Sequence, residues 1–206
     1  MARGHAKGSA FERLICKQLS MWWTGGVRDD VFWRSSNSGG RAKVRGRQGR
    51  QTFGQYGDVQ ATDPIGQQLI DFCTIEIKRG YKHHAICDLL DKPAHAAKQQ
   101  CEAWLEQANT DHEAAGSIGY MLITQRDRKA PLVTISYTCY CMLKRHSKLG
   151  KTVKKLRPSA ILKANRSKLF VTSLSAFLDW VTPNAIKDII DFHRDALNEE
   201  GLQRFG

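Results

Sequence analysis

The chain has 206 residues and 32 Lys and Arg against 20 Asp and Glu, a formal net charge of +12. Its 41% hydrophobic and 25% charged residues are an ordinary globular balance, and the length favours one domain with an appendage around a real core. No apolar run approaches the ~18 residues of a membrane span, and no N-terminal stretch joins a charged start, an apolar block and a cleavage site. Neither a membrane nor a secreted protein is expected, and the expected place is the cytoplasm. The six cysteines form no CxxC pair, so they are expected as reduced core residues rather than zinc ligands or disulfides.

In chain order, Ser9-Ala10-Phe11-Glu12 has the form of a capping box, with Ser9 as N-cap and Glu12 at the third helical position. Phe11, Leu14, Ile15, Leu19 and Trp22 recur at helical spacing and predict an amphipathic helix over 9–23, ended by Gly25-Gly26. Trp22-Trp23 are expected as packing rather than as a base-stacking platform. Val31 to Arg34 predicts a short strand. Ser35-Ser36-Asn37-Ser38-Gly39-Gly40 is a polar loop. The basic segment 41–54 continues it, with Arg41, Lys43, Arg45, Arg47 and Arg50 and no acid. Its glycines and self-repelling charges predict poor order without a partner.

Gly57 to Thr62 alternates as a strand, with Asp58, Gln60 and Thr62 on one face. Asp63-Pro64-Ile65-Gly66 is a turn signal, and Leu69 to Lys78 is expected as the second strand of a hairpin. His83-His84 is expected in a surface turn, because adjacent strand residues point to opposite faces. A helix is predicted over 93–109, then strands at 120–124 and 132–137 joined by Arg126-Asp127-Arg128-Lys129. A second acid-free block, 144–168, holds Lys151, Lys154 and Lys155 among its cations, and Asn184 to Leu197 is expected as a helix capped near Thr182-Pro183. The order αβββαββ predicts an α/β fold with a mixed β-sheet flanked by helices. The expected division is a core over 1–140 and a basic, then helical extension over 141–206 packed on it.

Two uncompensated basic blocks point to a polyanion, because each phosphate contact releases condensed counterions. A solvated, solubility-promoting surface is the alternative. Neither block carries the apolar stripe of a membrane-surface helix. Nucleic acid is the expected partner.

Along Phe72-Cys73-Thr74-Ile75-Glu76-Ile77-Lys78, side chains alternate across the strand. Glu76 and Lys78 therefore share a face, about 6.5–7 Å apart. If this strand pairs with the preceding one, Asp58 comes beside Glu76. Two converging carboxylates repel unless a hard divalent cation lies between them, and Mg²⁺ suits oxygen ligands. A nearby ammonium could orient the attacking water and offset charge at a phosphate.

Gly57-Asp58, seventeen intervening residues, then Glu76-Ile77-Lys78 resembles the PD-(D/E)xK nuclease pattern, with Gly where Pro is usual. Gly8-Ser9-Ala10-Phe11-Glu12-Arg13 and Arg34-Ser35-Ser36-Asn37-Ser38-Gly39-Gly40 look like the matching parts of Holliday-junction-resolvase-type and phage endonucleases. The resemblance covers about residues 7–137 in motif order.

It implies a restriction-endonuclease-like core and Mg²⁺-dependent phosphodiester hydrolysis, with Mn²⁺ able to substitute. It implies that Asp58, Glu76 and the Ile77 carbonyl hold the metal, that Lys78 positions the water, and that Glu12 adds an acid. Gln99 or Gln100 falls where many members carry a supporting Gln. Arg34, Ser35, Ser36 and Ser38 would meet phosphates, beside the basic blocks. The substrate would be branched or duplex DNA, the enzyme a homodimer, and the setting a bacterial or phage-infected cell. Glu12 as a capping acid, Asp58 as a turn residue and Glu76 with Lys78 as a solvated pair stand beside these roles. The rival functions are a non-catalytic nucleic-acid-binding protein and a sequence-specific restriction-type endonuclease.

Overall fold

The computed structural model describes residues 2–35, 56–81, 83–93, 95–147, 158–164 and 167–203. The basic loop 41–54, with Ser36 and Ser38 before it, and Lys151, Lys154 and Lys155 lie outside them. Among the described residues are six α-helices: α1 (Ala2–Trp23), α2 (Gln67–Phe72), α3 (Gln100–Ala115), α4 (Tyr137–Ser147), α5 (Leu174–Trp180) and α6 (Pro183–Gln203). The strands are β1 (Phe32–Arg34), β2 (Val59–Ala61), β3 (Cys73–Arg79), β4 (Gly119–Gln125), β5 (Leu132–Ser136), β6 (Ser159–Ala164) and β7 (Ser167–Ser173). No described helix is long and apolar enough to cross a membrane.

The main sheet has the order β3-β4-β5-β7-β6. β3 and β4 are parallel, with Glu76 opposite Leu122 and Lys78 opposite Thr124, and every other pair is antiparallel. A parallel pair needs a long crossover, and residues 80–118, with α3, supply it. Both faces of β3 are covered: Cys73, Ile75 and Ile77 pack with Phe11, Ile15 and Leu19 of α1. The opposite face meets α3, where Trp104 and Ala108 join Tyr120 and Leu122. Five successive β3 residues are buried as a result, polar Thr74 and Glu76 included.

Several expected boundaries change. α1 begins at Ala2, so Ser9 lies inside the helix and caps nothing, and Glu12 is not a capping acid. The helix ends as expected, with the Gly26 N–H reaching the Met21 carbonyl at 2.7 Å. Trp22 and Trp23 are packing residues, their indole N–H groups donating to Leu178, Val181 and Ile65 carbonyls.

The expected β2–β3 hairpin does not form. Asp63 caps a 3₁₀ turn at Pro64–Gly66, its carboxylate accepting the Ile65 N–H. Gln67–Phe72 then continues as helix, burying Leu69 and Phe72 at three-residue spacing. β2 pairs antiparallel with β1 instead, in a separate two-stranded sheet. Helix α3 starts at Gln100 rather than near Pro93 and runs on to a left-handed Gly116. Residues 159–164 and 167–173 form β6 and β7, and β7 pairs with β5, so this part of the expected extension continues the main sheet.

The two sheets meet at Gly57 and Asp58, where the Asp58 N–H donates to the Ile75 carbonyl at 2.7 Å. Gly57 has φ +76°, and a Cβ there would lie 2.8 Å from both the Ile75 carbonyl oxygen and Thr74 Cγ2. Gly116 shares the left-handed conformation, φ +71°, with nothing within 4 Å of a Cβ. Gly116→Ala should therefore cost only the left-handed backbone term, about 1 kcal/mol. Gly57→Ala adds a clash with backbone and should cost about 2–3 kcal/mol. Urea unfolding of the two variants measures the difference, and equal losses would contradict the close approach.

Candidate active site

Three segments build the site on the free edge of β3. Asp58 is fixed through its backbone, its N–H on Ile75 and its carbonyl accepting the Ser35 N–H at 3.0 Å. Its carboxylate Oδ2 accepts the Ile77 N–H at 2.7 Å. In a parallel ladder the N–H and C=O of one residue point to the same side. The Ile77 carbonyl therefore lies on the same free edge as its N–H, beside Asp58.

Glu76 and Lys78 stand on the α3 face of the same strand. Lys78 Nζ donates to Glu76 Oε2 at 2.7 Å and lies 3.7 Å from Asp58 Oδ2. One ammonium thus sits between the two acids. Glu76 is only 1% exposed, and a second donor, Gln107 Nε2 on α3, reaches its Oε2 at 3.2 Å. Asp58 Oδ1 and Glu76 Oε1 accept no hydrogen bond from the described residues.

The charge balance of this group is unfavourable as it stands. Burial, then Asp58, pushes the Glu76 carboxyl up to about 8, against the lowering effect of Lys78, and Asp111 adds to the rise. Burial lowers the Lys78 ammonium, but Glu76 and Asp58 outweigh it and the net shift is upward. Lys78 is therefore held as a cation. With both acids ionised, two carboxylates and one ammonium leave a deficit of positive charge in a desolvated place, which a proton on Glu76 or a bound cation relieves. A hard cation fits that deficit: Asp58, Glu76 and the Ile77 carbonyl are all oxygen donors, and one oxygen on each carboxylate takes no hydrogen bond from the described residues. Among the described residues no group of three or more His, Cys, Asp or Glu could hold a metal ion, so the carbonyl and water would complete the set.

Glu12 is close but otherwise engaged. Its Oε2 is 2.9 Å from Arg34 Nε, an ion pair whose angle leaves that N–H without a hydrogen-bond acceptor. Both Glu12 and Asp58 act on the buried Cys16 thiol, which burial first and these charges next push up to about 12. Arg34 is thus paired to Glu12, and the Ser35 N–H expected at a phosphate is used by Asp58. Gln99 precedes α3 and Gln100 is exposed at its start, so neither is the Gln that the structure brings to Glu76. That residue is Gln107, and Asp111 lies one turn further along α3. Their i, i+4 spacing with Trp104 and Ala108 nearby was the available signal.

The remaining expectations are mixed. His84 is exposed and edges against Tyr81 and Trp104 rather than an acid. Cys16, Cys73, Cys101 and Cys139 are buried, whereas Cys87 is exposed and Cys141 half-buried.

The raised Glu76 carboxyl has a consequence for stability. Its folded value lies above the ordinary value of 4.5, so between about 4.5 and 8 the folded state binds more protons than the unfolded one. This group therefore destabilises the fold progressively as pH rises through that window. In EDTA, Glu76→Gln should raise Tm, and the gain should grow from pH 5 to pH 8. A gain independent of pH would contradict the raised value.

A family model described as "phage putative PDDEXK endonuclease" matches residues 3–188. No curated protein and no solved structure matches the chain. The match spans both sheets, and with them the Asp58, Glu76 and Lys78 cluster and the strands after residue 140 that the motif resemblance left out. With most of its length so matched, the chain belongs to the phage PDDEXK endonuclease family.

Proposed function

We propose that the chain is a Mg²⁺-dependent endonuclease that hydrolyses phosphodiester bonds in DNA. The carrying observation is the convergence of Asp58 and Glu76 on the Lys78 ammonium at an open strand edge. Asp58, Glu76 and the Ile77 carbonyl would hold the ion, with Mn²⁺ able to replace it. When bound, Mg²⁺ supplies Lewis-acid stabilisation of phosphate charge and an acidified water.

The rest falls to the side chains. Lys78 remains an ammonium, so it acts by hydrogen bonding to the attacking water and by offsetting charge on the phosphate rather than as a base. Glu76 Oε2 is fixed by Lys78 and Gln107, so Oε1 would be the oxygen available to hold the ion. Asp58 is held by β3 itself, which keeps its other carboxylate oxygen from swinging away. Glu12 and Arg34 border the site as a pair, where Arg34 could exchange Glu12 for a phosphate.

The site does not encode a DNA shape. A four-way junction, cut symmetrically, would call for two copies of the chain related by a two-fold axis. A panel of labelled four-way junction, flap, nicked and linear duplex DNA, each with Mg²⁺ and with EDTA, tests both activity and preference. The parent should cut at least one substrate in Mg²⁺ and none in EDTA. Asp58→Ala and Glu76→Ala should lower cleavage by about 10³-fold or more while DNA binding persists. Variants that cut as well as the parent would leave a non-catalytic nucleic-acid-binding protein as the better account.

Lys78→Ala separates binding of the ion from catalysis. Removing the ammonium leaves the oxygen donors in place and relieves their competitor. The variant should bind Mn²⁺ at least as tightly as the parent by titration calorimetry, and cleave about 10²-fold or more slower. Full activity in this variant would remove Lys78 from the mechanism.

A further inference from the structure

The turn between β4 and β5 carries Arg126, Asp127, Arg128 and Lys129. Elsewhere many surface cations are matched: Lys17 with Asp29, Arg28 with Asp30 and Asp63, Lys98 with Glu106, Arg194 with Asp71. Arg126, Arg128 and Lys129 are all exposed, and none makes an ion pair with a described residue. Among the described residues their cationic charge is unmatched.

The turn is nonetheless built. The Lys129 N–H donates to the Arg126 carbonyl at 3.1 Å, and Gln125 Nε2 braces the Lys129 carbonyl at 2.9 Å. Arg128 has φ +60° and is the sole described non-glycine residue with positive φ. Glycine takes that conformation freely and an arginine does not. The chain thus holds a long cation at a position where backbone sterics favour no side chain.

Its place relative to the site follows from the strand register. Because β3 and β4 are parallel, their C-terminal ends lie side by side, with Lys78 opposite Thr124 and Arg79 opposite Gln125. Arg126 therefore begins one residue past the end of the ladder, and its Cα lies about 8 Å from that of Lys78 by strand spacing and rise. A polyanion whose phosphate sat at Lys78 would run its neighbouring phosphates past this turn.

We propose that Arg126, Arg128 and Lys129 form a phosphate-binding turn that grips the DNA backbone beside the phosphate being cut. The proposal rests on the nuclease reading for its ligand, but its own observations are the unmatched charge, the strained arginine and the register. A test uses the full chain with labelled duplex and four-way junction DNA, binding measured in EDTA from about 50 to 250 mM salt. Arg126→Ala, Arg128→Ala and Lys129→Ala combined should weaken binding about tenfold or more, and flatten the log affinity against log salt slope by about 2 to 3. In Mg²⁺ the same variant should raise KM more than it lowers kcat. Arg128→Gly alone should raise Tm while weakening binding, a combination that a purely structural role for Arg128 would not produce. Unchanged affinity and slope in the triple variant would overturn the proposal, as would a parent that fails to bind DNA in EDTA. A parent that binds but never cuts in Mg²⁺ would instead overturn the nuclease reading, and the EDTA comparison would still decide the turn.

Discussion

A carboxylate brought to the bare edge of a β-strand by its own backbone is the constraint on which the rest depends. Asp58 spends its N–H on Ile75, its carbonyl on Ser35 and one carboxylate oxygen on Ile77. These bonds also occupy polar groups that an edge strand would otherwise expose. The approach is possible because residue 57 has no side chain to meet Ile75 and Thr74. The supports radiate outward: Asp58 leads into β2, β2 pairs with β1, and β1 is tied to α1. In that last link Ser20 Oγ accepts the Phe32 N–H and donates to the Cys16 carbonyl, both at 2.9 Å.

The second determinant is an imbalance of charge. A lone Lys78 faces Glu76 and Asp58, with Asp111 behind, in a place that α3 shields from water. Folding such a group costs stability that a packed apolar face would not. Enclosure also strengthens each interaction with a cation or a developing phosphate charge. A site with these electrostatics suits membership of a phage endonuclease family. It also explains why polar Glu76 occupies a position that a β-strand covered on both faces would normally fill with Val or Ile.

What the sequence showed, and what it hid, divides along physical lines. The Glu76–Lys78 face was legible because strand alternation is a rigid rule, and Asp58 was legible from the spacing of the family resemblance. The route between them was not. Leu69 to Phe72 carries a β-like apolar run, but the Asp63 cap and Pro64 start a helical turn that a hydrophobic pattern alone does not reveal. The bonds from Asp58 to β3 mimic the hairpin that was expected, so the right neighbours came from a wrong topology. Gln107 was missed because its contact depends on how far α3 extends and how it is rotated over the sheet. β6 and β7 were missed because a charge-rich composition masked Leu162, Leu169 and Val171, which are buried against the α3 side of the sheet.

The thiols offer a practical dividend. Burial pushes Cys16 up to about 12 and Cys139 to about 11, and Cys73 higher than its ordinary value. Thiols so placed present almost no nucleophilic thiolate near neutral pH. Cys87, on the short 3₁₀ helix Ile86–Leu89 between β3 and α3, is exposed to solvent. A maleimide dye would therefore settle first on this exposed thiol, on the stretch that leads into α3, rather than on the buried ones. The natural chain thereby carries a ready attachment point for a fluorescent reporter, with no cysteine needing to be removed from its interior.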